Sequence, residues 1–398
     1  MHPILNFFFL LILSLSVSCS PAKQSHAKNE AGFRLGAERM DEYLPLIKER
    51  HVGIVANPTS VLDSPAVHLV DLLIAQGVKV EVVFAPEHGF RGEAGAGEKI
   101  KDSKDEKTGV KIVSLYGKKR KPSPDDLQGL DAIIFDIQDV GVRFYTYIST
   151  LNLVMEASAD AGIPVVVLDR PNPNGQRIDG PVLEMKHKSF VGISPIPVLH
   201  GLTVGEFAKM TIGEGWLSSM KPCSLKVIEM ENYSHSMHYE LPIAPSPNLR
   251  NMNAVYLYPS LCFFEGANVS VGRGTDFPFE VYGFPSYEGG DITFIPENKP
   301  GVALHPPFEG IQCKGVDLRG YTDSSRQSGL DLSLLIDAYK KTPDHSTFFN
   351  PFFESLAGTS QLRKQIEKGT SIEEIRASWK KDLDRYRQMR KKYLLYPD

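Results

Sequence analysis

The first half of the chain repeats one hydropathic pattern: a short apolar run, a polar loop rich in Gly and Pro, then a stretch with helical spacing of apolar positions. The runs are His51–Ala56, Lys79–Ala85, Ala132–Asp136 and residues 164–168. Behind them lie the loops NPTS from Asn57, PEHG from Pro86, QDVG from Gln138 and DRPNPNG from Asp169. β-Branched runs that stop at turn residues predict buried strands. The helical patterns at 66–76 and 149–161 predict crossovers between them. Alternation of this kind predicts an α/β fold with a parallel sheet and right-handed connections. Ligands bind such sheets beyond the carboxyl ends of the strands. The four loops are therefore expected on one edge, as one site.

The second half reads differently. Thr203 is a predicted N-cap for a helix over 203–210. The proline-dense string PIAPSPN at 242–248 predicts a domain edge. A Gly- and aromatic-rich stretch follows at 258–285. Ser371 and Glu374 fit a capping box that starts a helix running to about Tyr393. No solenoid-type repeat is visible.

A length of 398 residues can bury a large core and predicts two domains. A net charge of -4 gives no reason to expect nucleic acid or an anionic membrane surface as partner. Residues 7–17 form an apolar segment too short to span a bilayer, followed by Ser18-Cys19-Ser20. A small residue before a cysteine at that place is similar to a bacterial lipobox. It predicts a signal segment over 1–19, lipidation of Cys19 and a polar tether over 20–32. The protein is then exported and periplasm-facing, touching the membrane only through its anchor. An ordinary cleaved signal peptide is the alternative, because the segment before the apolar run lacks Lys and Arg and Ser16 stands where Leu is usual. Cys223, Cys262 and Cys313 are widely spaced without a C-x-x-C, which predicts three buried thiols rather than a zinc site or a disulfide framework.

The densest chemistry is in VFAPEHGFRG, where Glu87 and His88 follow a strand end beside two glycines and Arg91. A carboxylate and an imidazole there suit proton transfer. The stretch from Gly92 to Lys99 misses both a P-loop and a dinucleotide fingerprint, since Glu98 stands where the P-loop lysine belongs and Ile100 where the dinucleotide motif needs a glycine. It reads as a flexible loop, a lid over the site. Neither G-x-S-x-G nor H-E-x-x-H occurs, which argues against serine-nucleophile and zincin chemistry. Asp139 and Arg143 share the second dense loop, either as ligands of a substrate or as a pair, and Tyr145 or Tyr147 is a candidate sugar contact. Asn57, Arg170 and Asn172 belong to the same predicted edge. Glu265, Arg273, Thr275 and Asp276 cluster in the third dense segment, where glycines flank Arg273 and allow close backbone approach.

Together these strings resemble one family, the bacterial exo-β-N-acetylmuramidases of the NamZ type. The motifs are GIVANPTSV, FAPEHGFRG, DIQDVGVRFYTYISTL, LDRPNPNG, HGLTVGEFA, PSPNL, YPSLCFFEGANVSVGRGTDFPFEVYGFP and FFESLAGTSQLRKQIEKG. They span the chain from about Leu35 to Pro397. The resemblance implies a Rossmann-like domain over 33–245, a smaller α+β domain over 246–398, and an active site in the cleft between them. It also implies release of terminal N-acetylmuramic acid (MurNAc) from MurNAc–N-acetylglucosamine (MurNAc–GlcNAc) glycans of peptidoglycan, with a role in cell-wall recycling. Glu87 is the glutamate of its EHG motif. The chemistry agrees: glycoside hydrolysis needs a carboxylic acid at the leaving oxygen. His88 would orient that acid or share its proton. Muramic acid carries a lactyl carboxylate, so a site specific for it needs a cation, with Arg143, Arg170 and Arg273 as candidates. The second catalytic carboxylate is expected at Asp139, with Glu265 behind it, unless the substrate's own 2-acetamido group attacks. No metal or organic cofactor is implied. Rival readings are a lipid-anchored binder of muropeptides without hydrolysis and an esterase on the same fold.

Overall fold

The computed structural model describes residues 32–63, 66–92, 102–321 and 329–398. The signal segment, Cys19, nearly all of the tether and the loop beyond Gly92 lie outside them. The first half forms strands β1 (His51–Ala56), β2 (Val61–Asp63), β3 (Ala66–His68), β4 (Lys79–Ala85), β5 (Ser103–Lys104), β6 (Lys111–Ser114), β7 (Ala132–Asp136), β8 (Val165–Leu168) and β9 (Leu225–Ile228). Seven of them make one sheet in the order β5-β6-β4-β1-β7-β8-β9, parallel throughout except for the β5–β6 pair. All four predicted strands are present, and their continuous apolar character matches burial on both faces: every residue of β7 is buried. Gly53 lies where a Cβ would come within 2.8 Å of the Phe84 ring, so the centre of the sheet packs too closely for a side chain there.

The helix expected from residue 66 starts later. Ala66–His68 pairs antiparallel with Val61–Asp63, and only then does α2 (Leu69–Ala75) begin, following α1 (Met40–Ile47) in the chain. The reason is local: His68 is extended and its Nδ1 accepts the Val70 N–H at 3.2 Å, which caps the helix and stops it growing backwards. A short α3 (Pro124–Leu127) precedes α4 (Tyr147–Ala161), which lies almost wholly buried. α5 (Val204–Gly213) opens with the expected Thr203 cap, completed as a capping box by Glu206.

The loops beyond the strands interlock into one layer. Gln138 donates its N–H to Thr59 Oγ1 at 3.0 Å and its amide to the Pro171 carbonyl at 2.6 Å. Asn174 donates to the Val140 carbonyl at 2.7 Å, and the Ser60 hydroxyl donates to that of Asp136.

The second half contributes α6 (Met252–Leu261) and an antiparallel sheet of β10 (Val281–Phe284), β11 (Ile292–Phe294) and β12 (Cys313–Asp317), ordered β10-β12-β11. Helices α7 (Leu332–Lys341), α8 (Phe353–Ala357), α9 (Gln361–Glu367) and α10 (Ile372–Arg390) follow. The Ser371–Glu374 capping box forms as expected, and α10 ends at Arg390, short of Tyr393. This last helix returns to the first half. Tyr386 donates its hydroxyl to the His200 carbonyl at 2.7 Å, and Arg390 Nε donates to that of Gly201 at 2.9 Å. The Tyr396 hydroxyl reaches the Asp169 carboxylate at 2.8 Å. One apolar core runs without a break from β7 and α4 to α10. Cys262 and Cys313 are buried free thiols, whereas Cys223 is only half-buried. Among the described residues no helix is long and apolar enough to cross a membrane.

Candidate active site

A cavity of about 240 Å³ opens where the loops after β4 and β7 face the segment between α6 and β10. Glu87, His88, Tyr145, Tyr147, Glu265 and Arg273 are among its walls.

Glu87 is half-buried in a turn closed by the Gly89 N–H donating to the Pro86 carbonyl at 3.1 Å. His88 occupies the third position of that turn with φ +74°. Glycine is the usual residue there, and an L side chain costs about 1–2 kcal/mol. A buried imidazole held in a left-handed conformation is strain kept at the cavity wall, as functional sites keep it. The chain just beyond is pinned. The Phe90 ring meets His68 edge-on at 4.9 Å, and Arg91 lies over Phe90 while pairing with Asp71 at 2.9 Å and Asp105 at 2.6 Å. Arg91 holds the Asp105 carboxyl down to about 2.

The floor is polar and unfinished. Tyr147 lines the cavity, and its buried hydroxyl makes no hydrogen bond among the described residues. Burial first, then the Glu87 carboxylate, push its pKa up. The Asn57 amide and the Tyr145 hydroxyl stand beside it and pull the other way, short of good hydrogen-bond geometry. Tyr145 donates its own hydroxyl to the Pro245 carbonyl at 2.7 Å. Behind the tyrosines, Asp139 Oδ1 accepts the Gly141 N–H at 2.7 Å, while Oδ2 is buried with no partner among the described residues. Burial pushes the Asp139 carboxyl up to about 7, against the N–H groups of Gly141 and Val140. Asn57 Nδ2, Tyr147 Oη and Asp139 Oδ2 are thus three buried polar atoms with unmade bonds in one neighbourhood. Each such atom costs about 1–3 kcal/mol, and clusters of them call for a functional reason.

Opposite Glu87, Arg273 Nε donates to Glu265 Oε1 at 2.6 Å and the guanidinium lies 5.0 Å over the Phe279 ring. Its two Nη atoms have no protein partner among the described residues, so they can receive a second carboxylate. The close backbone approach seen at these glycines is to the protein itself. Gly274 has φ +81°, and a Cβ on it would lie 2.2 Å from the Glu297 carbonyl oxygen.

Several expected contacts lie elsewhere. Arg143 gives its guanidinium to the carbonyls of Pro181, Ile196 and Leu356, at 2.8, 2.8 and 2.7 Å. It is sealed from solvent, burial pushes its pKa down to about 9, and it neither pairs with Asp139 nor reaches the cavity. Arg170 is engaged by the Asp136 carboxylate at 2.5 and 2.9 Å and by the Val61 carbonyl. Asn172 turns inward, its amide on the Leu202 carbonyl and its Oδ1 on the Asn174 N–H. Thr275 closes the Arg273 turn by donating to the Gly272 carbonyl at 2.6 Å. Asp139 is one layer behind the wall, and Glu265 is the carboxylate that shares the cavity with Glu87. Tyr116, Val191 and Phe352 line the cavity without having been singled out from the sequence. Among the described residues no group of three His, Cys, Asp or Glu is placed to hold a metal ion.

Residues 52–253 match the family described as exo-beta-N-acetylmuramidase NamZ, N-terminal, and residues 256–396 match its C-terminal counterpart. The chain belongs to this family. It is a glycoside hydrolase. Peptidoglycan beta-N-acetylmuramidase NamZ of Bacillus subtilis (strain 168) is 37% identical over 401 residues, covering 96% of this chain and 95% of that protein. The crystal structure of a DUF1343 family protein from Bacteroides fragilis NCTC 9343 superposes with a TM-score of 0.85 at 46% identity, covering 92% of this chain and 99% of that one. A second DUF1343 family protein from the same organism gives a TM-score of 0.77 at 29% identity, with the same coverage of 92% and 99%.

Proposed function

We propose that this NamZ-family protein releases terminal β-1,4-linked MurNAc from the non-reducing end of peptidoglycan-derived MurNAc–GlcNAc glycans, with Glu87 as acid and base. The observation that carries the reading is a cavity of single-ring size holding Glu87 on one wall and the Glu265–Arg273 pair on the other. At about 240 Å³ it falls below the roughly 300–1,000 Å³ of pockets that enclose larger ligands. One terminal sugar fills it, and a chain does not thread through. Glu87 gives its proton to the glycosidic oxygen as the bond to the anomeric carbon breaks. Water then adds its oxygen to that carbon and returns a proton to Glu87, so the catalyst is restored. His88 orients the acid. Tyr147, with Asn57 beneath it, offers hydrogen bonds to the 2-acetamido group, which suits attack by that group on its own ring. In this division of labour residues 33–245 supply the acid, and residues 246–398 supply the cation. Mass spectrometry of the products from a defined MurNAc–GlcNAc oligomer tests the reading. Free MurNAc supports it, and an intact oligomer bound for hours supports the muropeptide binder instead.

Arg273 is the group proposed to receive the lactyl carboxylate, which an unmodified glucosamine lacks. Arg273→Met is expected to lower kcat/KM on MurNAc-terminated oligomers by about 10- to 100-fold, the worth of a lost charge-assisted bond. Arg273→Lys keeps the charge and recovers part of that loss. An unchanged preference for MurNAc- over GlcNAc-terminated oligomers in both variants removes Arg273 from recognition.

We further propose that the chain is exported and held on the periplasmic side by lipid on Cys19, from its apolar segment at 7–17 and the small residue before the cysteine. Cys19→Ala is expected to abolish incorporation of labelled palmitate and move the protein from the membrane to the soluble fraction. Membrane retention without label refutes the anchor.

A further inference from the structure

We infer that Phe352 is the platform of a second sugar subsite, which takes the GlcNAc ring on the leaving side of the scissile bond. The inference rests on the hydrolase reading above. A cavity that closes around one ring leaves the next ring outside, at its mouth. Phe352 marks that mouth: it lines the cavity yet is 41% exposed, whereas the other lining residues are buried or half-buried. It is also the one aromatic among the large apolar side chains left exposed in the described residues. Singly exposed apolar side chains are common; what sets Phe352 apart is its place on the rim of a polar pocket.

The backbone of Phe352 is held in place by the segment that carries the charged pair. The Phe352 N–H donates to Asn350 Oδ1 at 2.8 Å, and Asn350 in turn donates its N–H to the Gly266 carbonyl at 3.0 Å and its amide to the Glu265 carbonyl at 3.3 Å. The next residue, Phe353, is fully buried against Phe349, with ring centroids 4.4 Å apart. Its backbone lies so close to Gly266 that a Cβ there would come within 2.5 Å of Phe353 Cα. Phe352 therefore sits at a set distance from Glu265 and Arg273, and holding a ligand against it orders little new backbone. The face of an aromatic ring is electron-rich, and the C–H face of a pyranose carries the complementary partial charge. Stacking of this kind needs no hydrogen bond, so it tolerates a mobile reducing-end sugar while keeping the glycosidic oxygen over Glu87.

Binding is measured in the Glu87→Gln background, so that ligands persist, by calorimetry with MurNAc–GlcNAc and with MurNAc alone. With Phe352 present, the disaccharide is expected to bind about tenfold tighter than the monosaccharide. Phe352→Ala removes that increment and leaves the affinity for MurNAc unchanged, and Phe352→Trp retains it. In the otherwise native enzyme Phe352→Ala raises KM for the disaccharide more than it lowers kcat. An increment that survives Phe352→Ala, or affinities for both ligands that fall together, overturns the subsite. If the Phe352-bearing protein binds neither MurNAc nor the disaccharide, the hydrolase reading has failed and the subsite fails with it.

Discussion

Glu87→Gln is expected to lower kcat on MurNAc–GlcNAc by about 100- to 10,000-fold, with KM changed little. Glutamine keeps the shape of the side chain and its hydrogen-bonding reach but cannot give up a proton to the leaving oxygen. The loss should appear in kcat because, in the proposed function, the terminal sugar is held by groups other than Glu87, with Arg273 at the lactyl end and Tyr147 at the acetamido end. The substrate's own leaving group provides the internal control. A glycoside with an acidic phenol as aglycone needs little protonation, so Glu87→Gln should be much less impaired on it than on the disaccharide. A loss of tenfold or less on the disaccharide eliminates Glu87 as the acid. The His88 backbone strengthens the expectation, since the turn that presents Glu87 carries a left-handed histidine at a position where glycine relieves the strain.

What was legible in the sequence was local. Strands β1, β4, β7 and β8 follow from β-branched runs ended by turn residues, and the Thr203 and Ser371 caps follow from side chains three residues from their partners. The loops behind those strands could be assigned to one edge, because parallel pairing leaves no other place for them. The direction of a side chain within such a loop is decided by distant packing. Arg143 and Arg273 look alike in sequence, each beside glycine and aromatics. Yet Arg143 meets carbonyls contributed by residues 181, 196 and 356, which no local pattern announces. Arg170 is spoken for by Asp136, at the end of the neighbouring strand, and the sequence held that aspartate in view only as the last residue of an apolar run. Ala66–His68 has apolar spacing that fits either element, and the imidazole cap of α2 decides for the hairpin. Phe352 was hidden for the opposite reason: aromatics in this chain mostly build core, so an exposed one leaves no compositional trace.

Asp139→Asn is expected to stabilise the protein at alkaline pH and to spare most of its activity, within about tenfold at pH 6. Burial lifts the Asp139 carboxyl from its ordinary 3.8 to about 7. A raised acid favours the folded state while protonated. That contribution is whole below pH 4 and is lost as pH climbs through 7, a swing of about 4 kcal/mol at roughly 1.4 kcal/mol per unit. Asparagine is neutral at every pH, keeps an oxygen for the Gly141 N–H, and sets an amide where Oδ2 now lacks a partner. Thermal unfolding of the variant should therefore lie above that of the native protein at pH 8, with the gap closing as pH falls towards 4. The activity arm separates two roles. If the buried carboxyl acts through the Tyr145–Tyr147 floor in its neutral form, the native enzyme should lose kcat/KM as pH rises through 7, and the neutral amide should remove that loss rather than abolish turnover. A thousandfold loss at every pH means instead that an ionised Asp139 takes part in the reaction, and Glu87 then has its second carboxylate behind the cavity wall rather than across it at Glu265.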